Sequence, residues 1–210
     1  MLCRALSLCV AALILLCNPV AALAQQPDYL ASVPYPNFIR VAIRADRPGG
    51  TPDPAGRILY VTRVDFHEYI RDALPNEWFP SWHPNSLQAG ALAVKMFGWY
   101  HTLHPTTLDG FTFDVDNTTN FQMYDPGHRS VDSEAAVDAA LPLAFVEPDG
   151  RIVDINYRAG YQGGPNPEYR NENMMSQWGS QYLAEVERRN VLGIMQYYYR
   201  GRVIVRVPGR

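Results

Sequence analysis

The chain has 210 residues, of which 47% are hydrophobic and 19% are charged, and its formal net charge is −3. That length suits one domain of ordinary size, and the slightly acidic balance argues against a nucleic-acid partner. The sequence contains no internal repeat and no low-complexity tract, which excludes repeat and fibrous architectures.

The first residues have the pattern of a secretory signal. Arg4 supplies a positive charge, residues 5–16 form an apolar run, and Ala-Leu-Ala at residues 22–24 offers a cleavage site near Ala24. The run is too short for a comfortable membrane span. We therefore predict a signal peptide over residues 1–24, export to the cell envelope or beyond, and no membrane span after its removal.

All three cysteines, Cys3, Cys9 and Cys17, fall inside the predicted signal. The mature chain would therefore have no disulfide and no thiolate metal ligand. Its five histidines lack the spacing of a metal site, and neither a phosphate-binding loop nor a serine-nucleophile motif is present. These observations predict a protein without a metal or another cofactor.

Residues 25–36 are polar and proline-rich, and they predict a loose lead-in to one domain over residues 37–210. The apolar alternation of residues 38–44 predicts a half-buried strand with arginines on its polar face. A proline- and glycine-rich loop separates this strand from a second one, predicted at residues 58–64.

Two helices should follow the second strand. Asp65 and Glu68 form a capping box for a short helix, which should end near Leu74 because Pro75 lacks a backbone donor. A longer central helix should run from Pro84 to about residue 103. The glycines and alanines inside it predict close packing against another backbone.

The remaining elements return to strands and then to helices. They are strands at residues 143–146 and 152–157 joined by a turn at residues 147–150, helices at about 176–188 and 191–199, and a last strand at residues 202–207. The pattern predicts a single α+β domain, in which mixed or antiparallel sheet elements pack with the central helix and the C-terminal helices.

Glu77 is the candidate catalytic residue. It follows the predicted end of the short helix, and Trp78, Phe79 and Trp82 flank it. Aromatic surroundings desolvate a carboxyl group, which raises its pKa toward the value that a general acid needs. An exposed loop glutamate beside a core tryptophan explains the same pattern equally well.

Two further features call for an explanation. Lys95 interrupts an apolar stretch of the central helix, so it either reaches the rim of the apolar face or pairs with a carboxylate such as Glu77. Gln177 and Trp178, beside the permissive Gly179, suit a surface that faces carbohydrate. The start of a helix with one core tryptophan is the alternative interpretation of this second segment.

Several segments occur in the order found in one known family. They are Ile39-Arg40-Val41, Glu68-Tyr69-Ile70 followed by Glu77, residues 89–98, Gln122-Met123-Tyr124, Gly163-Gly164, residues 176–179 and residues 194–199. In this order and composition the chain resembles the family of stage II sporulation protein D and the LytB amidase enhancers. The resemblance extends over essentially the whole predicted domain.

The resemblance implies a lytic transglycosylase that cleaves MurNAc–GlcNAc linkages in peptide-stripped peptidoglycan strands and leaves 1,6-anhydro ends. Glu77 would be the single general acid and base. The residues that would bind the glycan are Lys95, Gln122, Tyr124, Ser176, Gln177 and Trp178. The alternative is a non-catalytic module that binds glycan or enhances a cell-wall amidase, which would then be its protein partner.

The chain also departs from the family pattern. Gly90, Lys95 and Phe97 stand where the family has Gln, Arg and Tyr, and the residues before Gly163-Gly164 differ as well. Lysine keeps the charge of arginine but loses the planar fork that grips a carboxylate with two bonds. The zinc-binding positions of some family members have no counterpart in this sequence. An active enzyme and a binding module therefore both stay open at this point.

Overall fold

A computed structural model of the protein describes residues 33–207, apart from the side chain of Asn171. The predicted signal at residues 1–24, with its cysteines, and most of the predicted lead-in at residues 25–36 lie outside this range. Among the helices within it, none combines the length and the apolar character that crossing a membrane requires.

The elements alternate between short strands and helices. In chain order they are β1 (Phe38–Arg44), β2 (Ile58–Asp65), α1 (Phe66–Glu77), α2 (Pro84–Leu103), β3 (Thr106–Leu108), β4 (Phe111–Phe113), β5 (Val115–Asp116), α3 (Val131–Ala140), β6 (Leu143–Val146), β7 (Asn156–Arg158), a 3-10 helix (Pro167–Glu172), β8 (Met174–Ser176), α4 (Gln177–Glu185), α5 (Val191–Tyr198) and β9 (Val203–Arg206). The predicted α+β class is confirmed.

The largest sheet in the described residues has the order β2-β1-β5 and is mixed. Strand β1 runs antiparallel to β2 and parallel to β5. The arginines of β1 do not form the solvated face that the alternation predicts. Arg44 is only 8% exposed and donates from Nε to Asp116 at 2.5 Å, while Arg40 forms an ion pair with Asp114. Because both aspartates lie on or beside β5, the two pairs cross-link the strands.

Helix α1 begins as predicted but extends further. The carboxylate of Asp65 accepts hydrogen bonds from the amides of His67 and Glu68. The predicted end near Leu74 is wrong, because the helix continues through Pro75 to Glu77. The bond from the amide of Trp78 to the carbonyl of Leu74 closes the last turn. Pro75 lacks the amide hydrogen that would bond to the carbonyl of Arg71, so the helix loses one bond there and ends two residues later.

Helix α2 has the predicted bounds and lies at the centre of the core, with α1, α3, α4 and α5 packed around it. The sequence predicts that its glycines face another backbone. The structure places them against aromatic side chains instead. A Cβ at Gly90 would lie 2.6 Å from the indole ring of Trp78, so only glycine admits this ring. Gly90 on α2 therefore makes room for the ring of Trp78, the residue that follows Glu77.

The C-terminal half contains two small sheets instead of the predicted hairpin. Strand β6 pairs with β9, and the three-residue strand β7 runs parallel to β8. The predicted strand at residues 152–157 is wrong in most of its length, because Ile152 and Ile155 are buried in the core without pairing to β6. The turn before it is present, and the amide of Gly150 bonds to the carbonyl of Glu147.

Candidate functional site

Glu77 is the last residue of α1, and both oxygens of its carboxylate are held by donors from distant segments. The amide of Met123 donates to Oε1 at 2.7 Å. The side-chain amide of Gln177, the first residue of α4, donates to Oε2 at 3.1 Å and to the main-chain carbonyl of Glu77 at 2.7 Å. The residue as a whole is half-buried, and these bonds fix the position of its carboxyl group.

Burial raises the pKa of Glu77 to about 7, although the hydrogen bonds from Met123 and Gln177 act in the opposite direction. Desolvation disfavours the charged carboxylate more strongly than these two donors favour it. The desolvation expected from the sequence is therefore present in the structure, whereas the catalytic role stays a prediction.

A buried polar network forms the wall behind Glu77. The hydroxyl of Tyr69 donates to Oε1 of Gln122 at 2.6 Å, and Nε2 of Gln122 donates to the hydroxyl of Tyr157 at 2.9 Å. Burial, and to a lesser extent the charge of Glu77, raise the pKa of both tyrosines well above the usual value. Both hydroxyls consequently keep their protons at neutral pH.

The structure corrects the direct glycan-binding role predicted for Gln122 and Ser176, since both side chains are fully buried. Gln122 uses its amide within the network behind Glu77. Ser176 caps α4, accepting from the amide of Gly179 at 2.9 Å and donating to the side chain of Asn166 at 2.8 Å. Each of them shapes the site without being able to touch a ligand.

Tyr124 is only marginally accessible. It is 6% exposed, and its ring stacks on that of Tyr69 with 5.5 Å between the centroids. Burial raises the pKa of its hydroxyl to about 12. Its predicted contact with glycan is thus limited to a small accessible part of the side chain.

The prediction that Lys95 binds glycan beside Glu77 is wrong. Its side chain is fully buried, and its ammonium group donates to the main-chain carbonyls of Ala140, Leu141 and Leu143. Burial lowers the pKa of this amine to about 7. The lysine does not reach the rim of the helix face, and it pairs with no carboxylate in the described part of the chain. It satisfies two carbonyls at the end of α3, which lack helical partners, and the carbonyl of the first residue of β6.

Three aromatic rings pack together and belong to residues that lie near Glu77 or Gln177 in the sequence. The centroid of Phe79 lies 5.4 Å from Trp82 and 5.7 Å from Trp178, and the two tryptophans are 4.7 Å apart. Phe79 is 58% exposed. We call Phe79, Trp82 and Trp178 the aromatic platform. Because Phe79 follows Glu77 by two residues and Trp178 follows Gln177 directly, the platform adjoins both ends of the Glu77–Gln177 contact.

Trp78 has a different role from its aromatic neighbours. It is fully buried, its indole nitrogen donates to the hydroxyl of Ser180 at 3.1 Å, and its ring meets that of Tyr157 edge to face. These contacts anchor the end of α1 to α4 and β7. Glu77 therefore stands on a rigid support.

The sequence interpretation missed three contributors to the site. The amide of Met123 carries no side-chain signal, although the neighbouring Gln122 belongs to a segment of the family resemblance. Tyr69 lies in another such segment, but nothing in the sequence connects it to Gln122, 53 residues away. Tyr157 lies in an apolar run and looks like an ordinary strand residue.

The described part of the chain also contains no cluster of three or more His, Cys, Asp or Glu side chains placed to hold a metal ion.

Comparison with known proteins gives one family match, which covers part of the chain. Residues 55–142 match the SpoIID family, described as stage II sporulation protein. This segment includes α1, α2 and α3, and with them Glu77 and Gln122. Over this segment the chain is similar to the SpoIID family, which confirms the resemblance derived from the sequence and indicates a function related to the cell wall.

The chain is also similar to an uncharacterized protein of Brachyspira hyodysenteriae. The two are 34% identical over 67 residues, which cover 32% of this chain and 18% of that protein. The chain thus matches less than a fifth of the length of this relative.

Proposed function

We propose that the protein is a secreted lytic transglycosylase, which cleaves MurNAc–GlcNAc linkages of peptide-stripped peptidoglycan strands. The observation that carries this proposal is the environment of Glu77, a carboxyl group that Met123 and Gln177 hold in place and whose pKa burial raises to about 7. A group with a pKa near the working pH can both donate and accept a proton.

In the first step, protonated Glu77 acts as the general acid. Its proton passes to the glycosidic oxygen while the bond between C1 of the muramic acid and that oxygen breaks. The GlcNAc unit leaves with a free hydroxyl group, and positive charge develops at C1. The carboxylate that forms is stabilised by the donors Met123 and Gln177.

In the second step, the carboxylate of Glu77 acts as the general base. It accepts the proton of the C6 hydroxyl group, and O6 bonds to C1 to close the 1,6-anhydro ring. The carboxyl group is then protonated again, and no water is consumed. Hydrolysis by the usual route would need a second carboxylate, whereas this route needs only Glu77.

The aromatic platform supports the choice of a glycan as substrate. Aromatic faces pack on the apolar faces of sugar rings, and the exposed ring of Phe79 adjoins the carboxylate along the chain. A sugar unit seated on the platform would place the next linkage of the strand near Glu77. The secretory signal predicted at residues 1–24 would bring the protein to this substrate.

The proposal is tested by incubating purified protein with peptide-free glycan strands and identifying the ends of the products by mass spectrometry. We expect anhydro ends from the wild type and from Gln88→Ala, which replaces a half-buried glutamine on α2 that bonds to the carbonyl of Ala139, and none from Glu77→Gln. If both the wild type and Glu77→Gln bind the strands and neither cuts them, the non-catalytic glycan-binding or amidase-enhancing module replaces the enzyme. Absence of both binding and cutting rejects both functions.

A further inference from the structure

The amide that bonds to Glu77 belongs to a segment fastened along one side of α1. We call residues 122–129 the strap. Its first residue, Gln122, is bound by Tyr69, and the next, Met123, donates to Glu77. Side-chain contacts therefore fasten the strap at the end that touches the carboxylate.

The other end of the strap is fastened by charges. Asp72 is only 4% exposed, and its Oδ1 accepts from the amide of Gly127 at 3.1 Å and from Nε of Arg129 at 2.7 Å. The guanidinium group of Arg129 also donates to Glu68 at 2.6 Å. One arginine thus joins two carboxylates that lie four residues apart, on one face of α1.

A further contact lies between these two ends. Nδ1 of His128 and Oδ1 of Asn76 are 2.7 Å apart. The side-chain nitrogen Nδ2 of Asn76 donates to the main-chain carbonyl of Asp72 at 2.7 Å. Asn76 directly precedes Glu77. The strap is therefore tied to α1 from the first turn of the helix to its last residue.

We propose that Arg129 and Asp72 are positioning residues, which hold the strap so that the amide of Met123 stays on the Glu77 carboxylate. Neither residue touches Glu77. Their part in catalysis rests on the proposed function, whereas their effect on the carboxyl group does not. This role makes a salt-bridge cluster on the surface of α1 a determinant of the proton affinity of the site.

The groups around Glu77 separate this effect from a direct effect of charge. The charge of Glu77 raises the pKa of two titratable groups, Tyr69 on α1 and Tyr157 on β7. Burial keeps both of them protonated. Arg129 faces Glu68 and Asp72 on α1 and Glu134 on α3. Its charge is not among the causes of the raised pKa of Glu77, but the bond from Met123 is, and it lowers that pKa. Loosening the strap should therefore raise the pKa further.

The test is a titration of the Glu77 carboxyl carbon by NMR in the wild type, in Arg129→Gln and in the double variant His128→Ala/Arg129→Gln. We expect the pKa of Glu77 to rise by about one unit in the double variant, since a hydrogen bond to a charged group is lost. The single variant should shift it less, in the same direction. Amide hydrogen exchange at Met123 should accelerate in parallel.

Arg71→Gln is the matched control, because Arg71 lies on the same helix and pairs with Glu68 and Asp138 without touching the strap. It should leave the pKa of Glu77 and the exchange of Met123 unchanged. If the double variant does not fold, Arg129→Lys carries the test, with a smaller shift in the same direction.

Folded strap variants that titrate Glu77 at the wild-type pKa would overturn the proposal. So would an equal shift in Arg71→Gln. The titration needs no substrate, so a wild type that never cuts glycan would reject the proposed function while the strap is still tested. In an active wild type, the alkaline limb of the pH–rate profile should move upward together with the NMR value.

Discussion

The side-chain amide of Gln177 makes two hydrogen bonds to Glu77, one to its main-chain carbonyl and one to its carboxylate. Its Nε2 lies 2.7 Å from the Glu77 carbonyl oxygen and 3.1 Å from Oε2. The two residues are 100 positions apart in the sequence and meet where the end of α1 faces the start of α4. Because one amide makes both contacts, the carboxylate cannot rotate freely without losing a bond.

Replacing Gln177 by Leu should make Glu77 a weaker acid. The bond from Gln177 lowers the pKa of Glu77, so its loss should raise that pKa above about 7 and move the alkaline limb of the pH–rate profile upward. We expect kcat to fall about tenfold at neutral pH, since the carboxylate loses a donor and its fixed orientation. The control is Gln88→Leu, in which the alkaline limb of the pH–rate profile and kcat should both keep their wild-type values.

Glu77 should destabilise the folded protein at alkaline pH. Its folded-state pKa is about 7 and its usual value is 4.5, so between these values the folded state binds more protons than the unfolded state. Stability is therefore lost as the pH rises through this window. Relative to Glu77→Gln, the wild type should lose about 3 kcal/mol of unfolding free energy between about pH 4.5 and pH 8.

This difference is measured by urea unfolding of both proteins across the pH range. Comparing the two proteins removes the contributions of all other titrating groups that they share. A constant difference in unfolding free energy would show that the pKa of Glu77 is not raised in the folded state.

The burial of Lys95 predicts that the free energy of unfolding also depends on pH in a higher range. Its folded-state pKa is about 7, against a usual 10.5, so the unfolded state binds more protons between these values. Stability therefore rises with pH across this window. Relative to Lys95→Met, the wild type should gain about 4 kcal/mol of unfolding free energy from about pH 7 to pH 10.

The same unfolding experiment measures the effect of Lys95, and the sequence offers a clean background because Lys95 is its single lysine. Glycan binding should be unaffected where Lys95→Met stays folded, since the amine bonds to carbonyls in the core. A folded Lys95→Met protein that has lost glycan binding would contradict this placement.

The aromatic platform predicts that the Phe79→Ala variant binds glycan more weakly than the wild type. Removal of the exposed ring should weaken the binding of chitotetraose about tenfold, because about 1.4 kcal/mol of stacking would be lost. Quenching of the fluorescence of Trp82 and Trp178 measures this binding directly. The matched control is Tyr60→Ala, which removes an exposed ring from β2. Equal losses in both variants would show that Phe79 has no specific role.

The sequence predicts the fold well where the signal is local. The bounds of α2 follow from Pro84 and from the length of the apolar pattern, and the burial that raises the pKa of Glu77 agrees with the desolvation expected from the sequence. The hairpin predicted after β6 fails because strand pairing depends on distant segments. Strand β9, about 60 residues further along, pairs with β6 instead.

The site residues show the same limit. Gln177 and Glu77 belong to segments of the family resemblance, and the structure brings them into contact. Lys95 and Ser176 belong to such segments too, but they satisfy backbone or side-chain groups inside the core. A residue type and its position do not reveal the direction of a side chain, so sequence alone cannot distinguish a ligand contact from a buried support.

We propose that Glu77 alone transfers the protons of a cleavage that consumes no water. The most direct test digests peptide-free glycan strands in water labelled with heavy oxygen and determines the masses of the new ends by mass spectrometry. We expect unlabelled anhydro ends from the wild type and no cleavage by Glu77→Gln. Labelled reducing ends, or cleavage by Glu77→Gln at the wild-type rate, would contradict it.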